Sequence, residues 1–258
     1  MKIGLIGKGA IANYVSAALE KRGHSVGAIL LRPERVMENP ALYVGAVQDL
    51  PNDLDLMIDC AGHSALIAYG ADILLRGLDL ITVSVGALAD QQLYDHLKSA
   101  ALQSNAKMHI ASGAIGALDC LQSARVGRLD SVTYVGRKPP NGWRGSPAEQ
   151  VLDLDALTGG AKMHFQGTAR AAALAYPKNA NVAAAVALAG IGFDDTQVQL
   201  IADADVTENI HEIEAAGEFG SFRFQISGQS LPDNPRSSAL AAMSVLSKVE
   251  QISQPISL

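Results

Sequence analysis

Two short stretches of the chain bring together residue types that could do chemistry. The first is Gly7-Lys8-Gly9-Ala10-Ile11-Ala12, which follows an apolar run and opens a helical pattern. Gly7 permits a tight turn, Gly9 lets backbone approach a pyrophosphate, and small Ala12, in the place of a third glycine, lets the helix lie close on its strand. The N–H groups at the start of that helix, around Ala10 and Ile11, then face a phosphate as free donors. The second stretch is 206–214, where strand alternation puts Glu208, Ile210, Glu212 and Glu214 on one face and Asn209, His211 and Ile213 on the other. Three glutamates mark the wet face, so His211 points inward with Asn209 beside it. An imidazole that titrates near neutrality suits proton transfer; a buried structural histidine is the plainer alternative.

Further small-residue turns accompany the glycine loop. Ala61-Gly62-His63 and Ser84-Val85-Gly86 follow the fourth and fifth strand-like runs. In an open α/β sheet, ligands lie outside the carboxyl ends of the strands, so Ala61, Gly62 and Ser84 are expected to line a cofactor trough. The acid that normally holds a ribose 2'-hydroxyl at the end of the second strand is missing, and Arg32 stands there, with Glu34 the next acid. A guanidinium in that place can pair with a 2'-phosphate, which makes NADP at least as good an expectation as NAD.

Positioning these residues requires a βαβ framework. Strand-like runs at 3–6, 26–31, 44–47, 56–60, 80–83 and 108–111 alternate with helical stretches at 11–22, 64–76 and 90–104, the grammar of a parallel sheet. After Gly113 the grammar changes. Residues 131–135 read as a strand, Ser146-Pro147-Ala148-Glu149 as a helix start with a capping box, and 168–189 as two alanine-rich helices parted by Pro177. Runs at 197–202, 206–214 and 221–227 read as an antiparallel meander ending in a hairpin. The expected fold is α/β: a Rossmann doubly wound parallel sheet over 1–111, completed by a C-terminal helix within 235–258, and a second α+β domain over 112–234 built on a mostly antiparallel sheet. The Gly113-Ala114-Ile115-Gly116 turn should open a helix after the sixth strand, and Asn181 should cap the helix that follows it.

Composition narrows the partners. The chain has 258 residues, 48% hydrophobic and 18% charged, with a net charge of -6. That length can bury a full core, and the absence of a basic excess argues against nucleic acid and anionic membranes, leaving small molecules as ligands. No apolar stretch reaches a membrane-spanning length, and no targeting segment is read at the start. Cys60 and Cys120 have no metal-like spacing, so both are expected to be small buried hydrophobes in a cytoplasmic protein, and no metal is expected.

Several segments together resemble the L-aspartate dehydrogenase family: 84–90, 112–119, Arg137-Lys138-Pro139-Pro140, Pro177-Lys178-Asn179-Ala180-Asn181-Val182-Ala183-Ala184, Glu208-Asn209-Ile210-His211-Glu212-Ile213 and Asp233-Asn234-Pro235. They occur in family order across nearly the whole chain. The resemblance implies NAD(P)-linked oxidation of L-aspartate to iminoaspartate, which hydrolyses to oxaloacetate and ammonia or feeds NAD biosynthesis. It also implies that Ala114 and Asn181 contact the cofactor and that His211 is the active-site residue. Asn209, Gly113 and Lys178 are expected at the substrate; Lys138, His164 and Arg170 are further cations available to a dicarboxylate. The alternatives are another two-domain dehydrogenase, of homoserine or dihydrodipicolinate type, and a nucleotide-sensing regulator without turnover. A homodimer formed through the second sheet is expected, because its outer face must be covered.

Overall fold

The computed structural model describes residues 1–177, 179–231 and 234–256. Lys178 and Asp233 therefore lie outside the described residues. The chain forms two compact units, Met1–Ala111 with Ala241–Leu258, and Ser112–Leu240.

The first unit runs β1 (Lys2–Ile6), α1 (Ala10–Glu20), β2 (Ser25–Leu30), β3 (Tyr43–Val44), β4 (Leu56–Asp59), α2 (His63–Leu75), β5 (Asp79–Thr82), α3 (Gln91–Ser104) and β6 (Met108–Ile110). Its strands form one parallel sheet in the order β3-β2-β1-β4-β5-β6. Strands covered on both faces read as continuous apolar runs, and Ile3, Leu5, Leu56, Ile58 and Ile81 are buried accordingly. The C-terminal helix, Ala239–Ser253, adds Val245, Leu246 and Val249 to this same core. The third strand is shorter than expected: after Val44 the chain turns, and Val47–Asp49 is a single 3-10 turn.

The second unit contains α4 (Leu118–Ala124), β7 (Leu129–Lys138), β8 (Ala161–Thr168), α5 (Ala169–Ala175), α6 (Asn181–Ala189), β9 (Gln197–Asp203), β10 (Asn209–Gly217) and β11 (Gly220–Gly228), then a ribbon of Ser230–Leu231 with Asn234–Ser238. The five-stranded sheet has the order β11-β10-β7-β9-β8. The hairpin β10–β11 is present, but β9 does not neighbour β10. β7 lies between them, antiparallel to β10 and parallel to β9, so the sheet is mixed and not a meander. Alternation reveals which residues share a face; it carries no information about which strand lies alongside.

Other local expectations also change. β8 is a strand where none was expected, because an exposed edge strand of mixed polarity with a bulge between Met163 and Phe165 lacks clean alternation. Ser146 does cap, accepting from the Ala148 N–H, but Pro147–Gln150 is one 3-10 turn and not a helix. Asp153 stops it by drawing the N–H groups of Asp155 and Ala156 into a turn. The Gly113–Gly116 turn does not itself open a helix: α4 begins at Leu118, after Ala117 in the left-handed region (φ 59°). Asn181 is the first residue inside α6, whose cap position is Ala180, with no side-chain cap hydrogen bond. Cys60 is half-buried, and its thiol pKa is raised by burial and by Asp59, whereas Cys120 is exposed on α4.

Candidate active site

In the first unit the order of strands reverses direction of growth between β1 and β4, and the loops that follow these two strands meet there. Gly7 adopts φ +90°, and a Cβ on it would stand 2.7 Å from the Cβ of Ala61. No other residue fits both conditions. Gly9 is the cap residue of α1, without a side-chain cap, so the helix-start N–H groups of Ala10 and Ile11 are not covered by a side-chain acceptor from the cap. Gly62 caps α2 at φ +95°. Cβ positions at Gly9 and Gly62 would meet nothing within 4 Å, so both loops present open backbone to a ligand. These observations fit a bound pyrophosphate, the part of a dinucleotide that needs close backbone approach.

Asp59, at the end of β4, holds the trough together and was not foreseen. It is fully buried; its Oδ1 accepts from the Ala61 N–H at 2.9 Å, and its Oδ2 accepts from the hydroxyls of Thr82 at 2.8 Å and Ser84 at 2.5 Å. Desolvation raises its pKa, and these three donors, together with the Gly62 N–H, oppose that rise. Ser84, expected against the cofactor, is 1% exposed and its hydroxyl is committed to Asp59, so it ties the β5 loop to the β4 loop. A carboxylate closing the apolar run Leu56-Met57-Ile58 is the signal that could have revealed this hub. Arg32 is 77% exposed and lies 3.6 Å from Glu34, itself 65% exposed.

In the second unit the register of β10 on β7 pairs His211 with Gly136 and Ile213 with Tyr134, so these side chains share a face. His211 is 5% exposed, and its Nδ1 is 2.7 Å from the hydroxyl of fully buried Tyr134. Gly136 makes this contact possible, since a Cβ there would lie 2.8 Å from the Tyr134 hydroxyl. A hydroxyl can donate or accept, so Tyr134 supports either tautomer of the ring, and Nε2 is free among the described residues to give or take a proton. Burial, with help from the nearby Lys138 cation, lowers the His211 pKa to about 3. The ring is therefore neutral at ordinary pH, and in this structure a weaker base than a free imidazole. Glu212 departs from the expected wet face: it is buried, and Arg223 of β11 pairs with it at 2.7 Å.

Lys138 ends β7 on the face that carries His211. Its Nζ donates to Asn179 Oδ1 at 2.8 Å and lies 4.9 Å from the centre of the Trp143 ring. Desolvation lowers its pKa to about 8. A Cβ on Gly142 would lie 3.2 Å from Lys138 Cβ and 3.8 Å from Asn209 Oδ1, so both flank the same turn. Beneath, His164 meets Trp143 edge-on at 4.4 Å between ring centres and shares a 3.0 Å hydrogen bond with the Tyr176 hydroxyl. Burial lowers the His164 pKa to about 4, with a further contribution from Lys138, and its buried Nε2 has no partner among the described residues. The structure thus brings His211, Asn209 and Lys138 together. Arg170 instead pairs with Asp194 at 2.6 Å. Gly113 adopts φ +72° with open space at its Cβ position, Ala114 is buried, and Asn181 is half-buried at the start of α6.

A dinucleotide trough on a parallel sheet, followed in the chain by an α+β unit that holds an inward imidazole, defines the class of two-domain nicotinamide-dependent dehydrogenases. Comparison with known proteins narrows this. The C-terminal domain of aspartate dehydrogenases matches residues 119–252, and the NAD binding domain of homoserine dehydrogenases matches residues 7–111. An L-aspartate dehydrogenase of Ruegeria pomeroyi is 56% identical, over 97% of this chain and 92% of its own. The crystal structure of aspartate dehydrogenase from Thermotoga maritima superposes with a TM-score of 0.78 at 25% identity, over 100% of this chain and 99% of that one. A hyperthermophilic archaeal homoserine dehydrogenase in complex with NADPH, at 11% identity and a TM-score of 0.61 over 97% and 96% of the two chains, shares the fold. The chain belongs to the aspartate dehydrogenase family.

The His211 environment sets a pH dependence. An unfolded histidine titrates near about 6.5, while the folded ring stays neutral until about 3, so between these values the unfolded chain binds the extra proton. The stability linked to His211 is whole above about pH 6.5 and is lost as pH falls through that window, by about 2 kcal/mol at pH 5. Ring NMR signals of His211 in the folded protein should show no inflection between pH 5 and 8. An inflection near 6.5 would contradict the buried neutral imidazole.

Proposed function

We propose that the protein oxidises L-aspartate with NAD or NADP to iminoaspartate, which water converts to oxaloacetate and ammonia, and that His211 is its acid–base residue. The likeness to the Ruegeria pomeroyi L-aspartate dehydrogenase over nearly the full length carries the choice of reaction. The His211 geometry supports the role of that residue. When bound, the nicotinamide accepts the hydride that leaves the substrate α carbon. Gly7, Gly9, Ala10, Ile11, Ala61 and Gly62 would hold the dinucleotide through backbone and small-residue contacts, joined by Ala114 and Asn181 as the family resemblance implies. His211 Nε2 takes a proton from the substrate ammonium, freeing the lone pair that becomes the C=N bond, releases that proton to solvent, and then takes one from the water that attacks the imine. Tyr134 holds the ring on its other nitrogen throughout, accepting from Nδ1–H when Nε2 acts as base.

The protein works in the cytoplasm, supported by the absence, among the described residues, of a helix long and apolar enough to cross a membrane and by two free cysteines. It forms a homodimer through the second sheet, supported by an outer face on which half-buried Val135 and Ile210 line a hollow beside the Arg137–Asp203 and Arg223–Glu212 pairs.

Following reduced nicotinamide by absorbance tests the reaction: L-aspartate supports turnover, while L-glutamate and L-homoserine do not. Equal turnover with L-homoserine would sink the assignment. His211→Ala lowers kcat by about a hundredfold or more, the scale of lost general acid–base help, and leaves the dissociation constant of the dinucleotide unchanged. A folded variant with full activity would remove His211 from the mechanism. Arg32 is expected to read a 2'-phosphate. Because it is exposed and shares its charge with Glu34, the expected preference is about tenfold at most. Arg32→Ala should therefore lower the NADP-to-NAD ratio of kcat/KM by up to about tenfold. An unchanged ratio shows that Arg32 faces solvent only.

A further inference from the structure

We propose that Lys138 is the cation that receives one carboxylate of the substrate, with Asn179 and Asn209 fixing its direction. This rests on the reading of the substrate as a dicarboxylate. Four cationic residues of the second unit were available to that task, and the structure separates them. Arg170 is held by Asp194, and His164 is kept neutral by burial. Lys178 lies outside the described residues. Lys138 alone among the described candidates shares a face with His211 and forms no ion pair with any described carboxylate.

Its surroundings are unusual for a lysine with a purely structural task. Desolvation acts on the ammonium, yet among the described residues its polar partners are a neutral amide and the face of an indole. An amide oxygen and a ring quadrupole compensate a desolvated cation only in part, and an anion is what such a site lacks. Lys138 is half-buried and not fully enclosed, which leaves an approach for an anion. Neighbouring atoms complete a receptor for a planar carboxylate. The Asn179 carbonyl oxygen fixes the lysine head, and its amide nitrogen has no partner among the described residues. Asn209 stands across Gly142, two residues before His211 on the same strand face. A substrate anchored at Lys138 has its amine a short side-chain span from the His211 ring, whose pKa already registers the Lys138 charge. A bound carboxylate offsets that charge and makes the imidazole a stronger base once substrate has arrived.

The inference also predicts a conflict between binding and stability. A buried cation without an anion costs stability, so Lys138→Met should raise Tm by about 2 °C or more while damaging recognition. The probe is succinate, a dicarboxylate that cannot be oxidised at an amine-bearing carbon. Its binding is measured by calorimetry on the full chain with NAD present, alongside KM and kcat for L-aspartate. The dissociation constant for succinate should rise about thirtyfold in Lys138→Met and in Lys138→Gln, which serves if the methionine variant fails to fold. Lys138→Arg, which keeps the charge, should recover most of the loss, and KM should change more than kcat. Succinate binding unchanged in the neutral variants, or a fall in Tm with binding intact, overturns the anchor and gives Lys138 a structural role. Turnover is scored apart from binding. A wild type that does not oxidise L-aspartate but binds succinate through Lys138 defeats the proposed reaction and leaves the anchor standing. A wild type that binds no succinate defeats the anchor whether or not it oxidises L-aspartate.

Discussion

The pairing of β10 against β7 is the constraint on which the second unit depends. It sets His211 opposite Gly136, two pairs along from Tyr134 opposite Ile213, and turns all of them to the same face. Because the strand period is two, a slip of one residue would turn His211 and Asn209 to the outer face and bring Glu212 and Glu214 to the inner one. The buried apolar residues Val132, Tyr134, Ile213 and Ala215 resist that slip, and Gly136 leaves the space through which the Tyr134 hydroxyl reaches the imidazole. Core packing therefore determines where the His211 imidazole stands.

The cost of this arrangement is electrostatic. His211, His164 and Lys138 are polar groups drawn into one partly dry region, and desolvation lowers the pKa of each. Two imidazoles solve the problem by remaining neutral and hydrogen-bonding to tyrosine hydroxyls. The lysine has no such escape at neutral pH, since its pKa of about 8 keeps most of it charged. A desolvated cation that is only partly compensated is poor for stability and well suited to an anionic ligand, the usual tension between a stable core and a working site.

The first unit solves a different problem with different means. Its trough is made of backbone, and Gly7, Gly9 and Gly62 provide it by what they lack. Such loops have little side-chain packing of their own, so something must hold their shape. Asp59 does so from below, binding the Ala61 N–H and the Thr82 and Ser84 hydroxyls at the ends of two neighbouring strands. A buried carboxylate with three donors is a stiff tether, because each lost hydrogen bond would leave desolvated charge unmet.

Local chemistry was enough to read part of this molecule from its residues. The glycine loop after an apolar run, the βαβ grammar of the first half, the break at Pro177 and the inward face of His211 all depend on near neighbours in the chain, and period and turn chemistry carry that information. The relation of β9 to β10, the edge strand β8, the true start of α6, the burial of Glu212 by Arg223 and the hub at Asp59 were decided only in three dimensions. Each depends on a partner distant in sequence, and no local pattern encodes which partner that is. The choice of Lys138 over Arg170 has the same origin: the two side chains carry equal charge in the sequence, and only the fold supplies one of them with a carboxylate and leaves the other facing the histidine.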